Sequence, residues 1–191
     1  MQQAVTRVDR CPWAESSEAM RAYHDHEWGK PSRDERHLFE MLILEGAQAG
    51  LSWATILAKR ENYRQALDGF DPSRASRYDD VKMASLLENP GIVRNRLKLR
   101  SVVRNAQAYL EVAEEWGSFG AYLWAYVGGA PIVNRPTTMS DVLARSELSD
   151  QVSKDLKRRG FTFVGSTIVY SYLQSVGVVD DHLVTCASKP G

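Results

Sequence analysis

The run Leu156-Lys157-Arg158-Arg159-Gly160-Phe161-Thr162-Phe163-Val164-Gly165-Ser166-Thr167-Ile168-Val169 decides the fold. It reads as helix, tight glycine hairpin, helix, the whole unit covering about residues 156–176. The first helix extends back over Leu148 to Arg159 and is closed by Gly160; the second runs from Ser166 to Val176 and is closed by Gly177. Upstream, helical spacing continues. Asp34 to Ala49 carries Leu38, Met41, Leu42 and Ala49 on one stripe, Gly50 interrupts it, and Ser52 caps a helix from Trp53 to about Leu67. Asp71-Pro72 is a turn, and Asp79 to Glu88 is a short helix ended by Asn89-Pro90-Gly91. Arg94 to Trp116 is a long helix with Leu97, Val102, Val103, Ala106, Tyr109 and Leu110 inside; Phe119 to Val127 is another, stopped by Gly128-Gly129. The proline-containing Ala130 to Thr138 reads as a loop, and period-two alternation is almost absent. The expectation is an all-α protein, one helical domain over residues 1–191.

Composition agrees: 43% of the 191 residues are hydrophobic and 25% charged, which suits a globular core and argues against disorder. No window approaches the ~18 apolar residues of a membrane span. Met1 to Arg10 lacks the apolar core of a signal peptide, so a cytoplasmic protein is expected; a monomer is expected as well. Twenty-four basic residues balance 24 acidic ones, excluding a wholesale polycation but allowing a local basic patch.

Such a patch adjoins the hairpin. Lys157 and Arg158 precede it, and free amides from Gly165 into the next helix would suit a phosphate. The alternative is an ordinary helix corner with a solvated basic face. Arg94, Arg96, Lys98, Arg100 and Arg104 form a second basic group open to the same two interpretations.

Cys11 and Cys186 are the only cysteines, too few and too distant for a disulfide framework. His182 and Cys186 are four residues apart, a spacing that puts both on one face of a helical turn. With Cys11 and His24 they make a Cys2His2 set suited to tetrahedral zinc, which would join the two chain ends. Four protein ligands leave no place for water, so this zinc would be structural. It would close a loop of roughly 175 residues, an entropy term of about 4–5 kcal/mol. Against this stand an accidental His/Cys pair and a simply buried Cys11. A catalytic zinc is disfavoured: His24-Asp25-His26-Glu27 is not followed by the P-C-x-x-C of zinc deaminases, and no H-E-x-x-H occurs.

Glu45 falls four residues after Met41 and seven after Leu38, on the apolar stripe, where a charge is expensive without a partner. It is either paired with an arginine or the floor of a pocket. Tyr23, Trp13, Trp28 and Trp53 cluster around it in sequence, whereas Trp116 and Trp124 suit packing. Flat walls over an anionic floor fit a planar, cationic or electron-poor ring.

The runs Tyr23-His24-Asp25-His26-Glu27-Trp28-Gly29 and Phe39-Glu40-Met41-Leu42-Ile43-Leu44-Glu45-Gly46-Ala47-Gln48-Ala49-Gly50-Leu51-Ser52-Trp53 resemble type I 3-methyladenine DNA glycosylases. So do Lys59-Arg60-Glu61-Asn62-Tyr63-Arg64, Arg159-Gly160-Phe161-Thr162-Phe163-Val164-Gly165 and Asp181-His182, and the likeness spans about Arg10 to Cys186. The resemblance implies a helix-hairpin-helix DNA glycosylase fold and release of 3-methyladenine from alkylated double-stranded DNA by base flipping, leaving an abasic site without strand cleavage. It implies a structural Zn2+ on Cys11, His24, His182 and Cys186, catalysis by Glu45, and a base pocket of Tyr23 and Trp53 with Trp13, Trp28 and Ser171. Leu51 would be the plug filling the gap in the duplex, and Gly165, Lys157 and Arg158 would meet the DNA. Met20 stands where a further pocket tyrosine is expected. Asp180, in Val179-Asp180-Asp181-His182, is placed like the superfamily's usual catalytic aspartate, though positioning of His182 is the favoured role. The rival to an enzyme is a zinc-stapled, non-catalytic nucleic-acid-binding module.

Overall fold

A computed structural model describes residues 9–190; the signal-peptide expectation for Met1 to Arg10 lies, apart from Asp9 and Arg10, outside them. A 3-10 turn at Pro12–Ser16 leads into helix α1 (Glu18–His26), α2 (Glu35–Gln48), α3 (Trp53–Ala58) and α4 (Arg60–Ala66). Then follow α5 (Pro72–Ala75), α6 (Asp80–Glu88), α7 (Arg96–Trp116), α8 (Phe119–Ala125), strand β1 (Ile132–Val133), α9 (Glu147–Arg158), α10 (Ser166–Ser175) and β2 (Val179–Asp180).

Local chemistry accounts for most helix starts. Ser17, Asp34, Ser52, Asp71, Asp79, Asn95, Ser118 and Ser146 each accept a hydrogen bond from a first-turn amide of the helix they open. The two exceptions are informative: α4 merely continues after a break at Lys59, and α10 begins at Gly165 with no side-chain cap. Helix α2 is the axis of the core. Every residue from Leu38 to Ala47 is buried, so the stripe expected on it is in fact the whole circumference. It packs against α7, α10, α3 and α8.

Four expectations need correction. The helix from Trp53 to Leu67 is two helices. Leu97 is not inside its helix but 68% exposed, because it lies in the first turn, outside the packed stretch that begins at Leu99. The segment from Ala130 to Thr138 is not wholly loop, and the fold is not purely helical: β1 pairs in parallel with β2, Ile132 opposite Val179 and Val133 opposite Asp180. Two-residue strands carry no alternation from which they could be read. Finally, residues 182–186 form a non-helical turn, closed by Cys186 N donating to Leu183 O at 2.8 Å. Trp124 is buried and Trp116 43% exposed, both away from the site.

Gly177 allows α10 to turn into β2. Its φ is +71°, and a Cβ there would lie 2.1 Å from the Lys30 carbonyl carbon. Backbone, not a movable side chain, blocks the space. Gly177→Ala is therefore expected to lower the melting temperature by at least ~4 °C, from the left-handed backbone alone, as calorimetry would show.

Candidate functional site

Three glutamates on α2 have different fates. Glu35 accepts from the amides of Phe119 (3.0 Å) and Gly120 (2.7 Å) and from Tyr109 Oη (3.0 Å). Glu40 accepts from Arg60 Nε at 2.7 Å and Arg64 Nε at 2.8 Å. Glu45 is 4% exposed, yet among the described residues no hydrogen bond or ion pair reaches it. Burial pushes its carboxyl up to about 8, so in the free protein it holds its proton at neutral pH. The floor expected to be anionic is thus neutral in the free protein.

Glu45 faces a cleft of about 300 Å³. Tyr23, Trp53, Trp13, Trp28 and Ser171 all line it, and so does Met20. Tyr23 and Trp53 meet with ring centroids 5.3 Å apart and planes at 48°; Trp13 and Trp28 meet edge-on at 5.0 Å. Trp53 Nε1 is buried with no hydrogen-bond partner among the described residues. Four lining residues escaped the sequence reading: Gln48, Gln174, Met139 and Val142. Gln48 is three residues after Glu45 and Gln174 three after Ser171, so helical spacing holds a signal for both. Met139 and Val142 come from the end of a connecting segment, with no periodicity to mark them. A larger groove of about 670 Å³ between Trp116 and Arg159 offers no such chemistry, because its Asp155 is saturated by Tyr122, Tyr126, Arg158 and Arg159.

Behind this cleft the chain ends meet. The donor atoms of Cys11, His24 and Cys186 lie within 4.8 Å of one another, all three residues buried. The His182 ring is 4.9 Å from that of His24, and its Nε2 is buried with no partner. The outer ring nitrogens are both held by carboxylates, His24 Nδ1 by Asp25 at 2.8 Å and His182 Nδ1 by Asp180 at 2.9 Å. That is the support metal-ligating histidines require. Two sulfurs, two imidazoles and an orphaned nitrogen fit a tetrahedral soft cation such as zinc. His182 and Cys186 converge through their turn, not through one face of a helix. Asp180 spends its other oxygen on Lys189 Nζ at 2.7 Å and the amide of His182 at 3.2 Å, consistent with positioning.

The hairpin between α9 and α10 sits on α2. A Cβ on Gly46 would come within 3.3 Å of Phe163 Cβ, so glycine next to Glu45 permits this approach. The start of α10 at Gly165 has no side-chain cap, leaving its first amides available. Lys157 is exposed, with no acidic partner among the described residues. Arg158, also exposed, is paired with Asp155 one turn back. Leu51 is 41% exposed at the tip of the Ala49-Gly50-Leu51 turn.

Residues 13–189 match the family model for methyladenine glycosylase. The chain belongs to the methyladenine glycosylase family. It is 44% identical over 184 residues to DNA-3-methyladenine glycosylase 1 of Escherichia coli K12, covering 96% of this chain and 98% of that protein. It is similar to a crystal structure of 3-methyladenine DNA glycosylase I with a TM-score of 0.92 at 43% identity, over 95% of this chain and all of that one. A structure of the Staphylococcus aureus 3-methyladenine DNA glycosylase I, which concerns recognition of 3-methyladenine, matches with TM-score 0.92 at 39% identity over 96% of this chain and 98% of that one. The methyladenine glycosylase fold is thus largely helical, as the caps and spacing indicate. No helix among the described residues is long and apolar enough to cross a membrane.

The unpaired carboxyl has a thermodynamic signature. Unfolded, Glu45 loses its proton near 4.5; folded, near 8. Between those limits the folded state binds the extra proton, so Glu45 costs stability progressively as pH rises. Glu45→Gln is expected to melt higher than the parent at pH 8 by roughly 5 °C or more, with the gap closing toward pH 4.5; a pH-independent gap in thermal melts would refute this.

Proposed function

We propose that this chain is a DNA base-excision repair glycosylase that flips out and hydrolytically releases 3-methyladenine from alkylated double-stranded DNA. The observation that carries this is Glu45: a carboxyl group without a partner among the described residues at the base of an aromatic cleft of about 300 Å³.

N3-methylation makes adenine a cation, so the base is already a good leaving group. A cation about 4 Å from a carboxylate gains about 4 kcal/mol at an effective dielectric of 20. That equals about three pK units and offsets most of the upward displacement of Glu45 from 4.5 to about 8. Entry of the alkylated base therefore drives Glu45 to release its proton. Neutral adenine supplies no such compensation and meets a protonated acid. Trp53 stacks on the base, while Tyr23 and Glu45 address its edge. The bond between the sugar carbon and the base nitrogen then breaks, its electron pair leaving with the base as neutral 3-methyladenine. Ionised Glu45 favours the resulting oxocarbenium-like sugar until water adds and gives up a proton, leaving an abasic site. Among the described residues no amine lines the cleft, which suits a monofunctional hydrolase without strand cleavage.

On the duplex side, Leu51 fills the gap left by the flipped nucleotide, and the open amides after Gly165 with Lys157 receive backbone phosphates in a helix-hairpin-helix arrangement. Arg158 joins them only if it leaves Asp155. Cys11, His24, His182 and Cys186 hold a zinc whose role is structural, tying the ends of one monomeric, cytoplasmic domain. The rival binding module has no use for an unpaired buried acid, whose only effect would be to destabilise it.

Two outcomes are expected. Glu45→Gln keeps the fold but lowers release of 3-methyladenine from methylated duplex on the order of 10²-fold or more, measured by chromatography of the freed base; unchanged release removes Glu45 from the mechanism. Elemental analysis finds about one zinc per chain, and Cys186→Ser both loses it and melts lower; full stability without metal overturns the staple.

A further inference from the structure

The Ala49-Gly50-Leu51 turn is exposed at its tip, yet its backbone is gripped from behind. Lys98, in the first turn of α7, donates through Nζ to Ala47 O at 2.8 Å and Ala49 O at 2.6 Å. Both carbonyls belong to the C-terminal end of α2, where carbonyls lack helical partners and the helix dipole is negative. Leu51 N donates to Gln48 O at 2.6 Å and closes the turn over Gly50, whose φ is +78°. No carboxylate among the described residues pairs with Lys98, so its ammonium is committed to this turn. The same helix holds the hairpin: Arg104 Nε donates to Gly160 O at 2.7 Å, and Asn105 exchanges two hydrogen bonds with the Thr162 backbone, at 2.8 and 3.0 Å. Positions 98 and 105 are about 10 Å apart along α7. One helix therefore holds both the Leu51 turn and the hairpin, the two loops assigned above to the duplex side.

We propose that Lys98 is a positioning residue for base extrusion, holding the Leu51 turn firm so that Leu51 enters the duplex as the nucleotide leaves. Separating stacked bases costs a few kcal/mol per step, and a turn free to fold back would retreat from the stack instead of parting it. This rests on the glycosylase function proposed above.

The test is a double-mutant cycle of Lys98→Met and Leu51→Ala, read by single-turnover release from methylated duplex and by binding of free 3-methyladenine through tryptophan fluorescence. Each single variant is expected to slow release roughly 10- to 100-fold, and the double variant no more than about threefold beyond the slower single. Affinity for the free base stays within about twofold of the parent, since Glu45, Tyr23 and Trp53 are untouched, and Lys98→Arg recovers most of the rate. Losses that multiply in the double variant, or free-base affinity falling in step with rate, overturn the proposal. Normal release by Leu51→Ala overturns it too while leaving the glycosylase function intact; absence of release by the parent overturns that function itself.

Discussion

A buried acid with nothing to bond to costs free energy in every folded molecule, and the rest of this fold is arranged around that cost. Helix α2 is enclosed on all sides from Leu38 to Ala47, so a glutamate there must find a partner or stay protonated. Glu40 has two arginines and Glu35 the start of α8. Glu45 has neither, although Arg60 and Arg64 lie on neighbouring α4 and are consumed by Glu27 and Glu40. The neighbouring cations are all engaged elsewhere. What is left is a buried carboxyl group that stays protonated at neutral pH.

The cleft wall and the cysteine–histidine cluster are not independent structures. Tyr23 and His24 are adjacent in α1, one facing the cleft and the other the cluster. Trp13 touches the rings of Tyr23, His24 and Trp28, and Trp28 packs edge-on against His182 at 4.7 Å. These rings connect the two sites, so whatever holds Cys11, His24 and Cys186 together also holds the wall opposite Glu45. Gly29 turns beneath His182 with a φ of +74°, where any Cβ would meet the imidazole.

Much of this was legible from residue types. Capping side chains and glycine stops place the ends of α2, α6, α7, α8, α9 and α10 within two residues, whereas α1 is not foreseen and Asp71-Pro72, expected as a turn, opens α5; the carboxylate among apolar neighbours marks the cleft floor without any coordinates. The two cysteines, taken with His24 and His182, mark the place where the two distant segments meet. What was not legible has physical causes. Continuity of apolar spacing conceals the break at Lys59, where only the backbone departs from helix. The β1–β2 pair is too short for a pattern. The pairing of Arg158 with Asp155 is a choice among rotamers, and Met139 and Val142 reach the cleft through a connection whose path depends on what it packs against. Glu45's protonation state depends on how completely α2 is enclosed, which a stripe drawn on a wheel understates.

The closure of the two ends also sets a timetable. His24 and Cys186 are 162 residues apart, and Leu183 reaches Cys11 across 172. On a ribosome, α2 can be shielded by α7 and α8 while α10 and β2 are still unmade, so the N-terminal aromatic wall waits without its anchor through most of translation. The cluster behind the aromatic wall cannot close until that distal segment has been made.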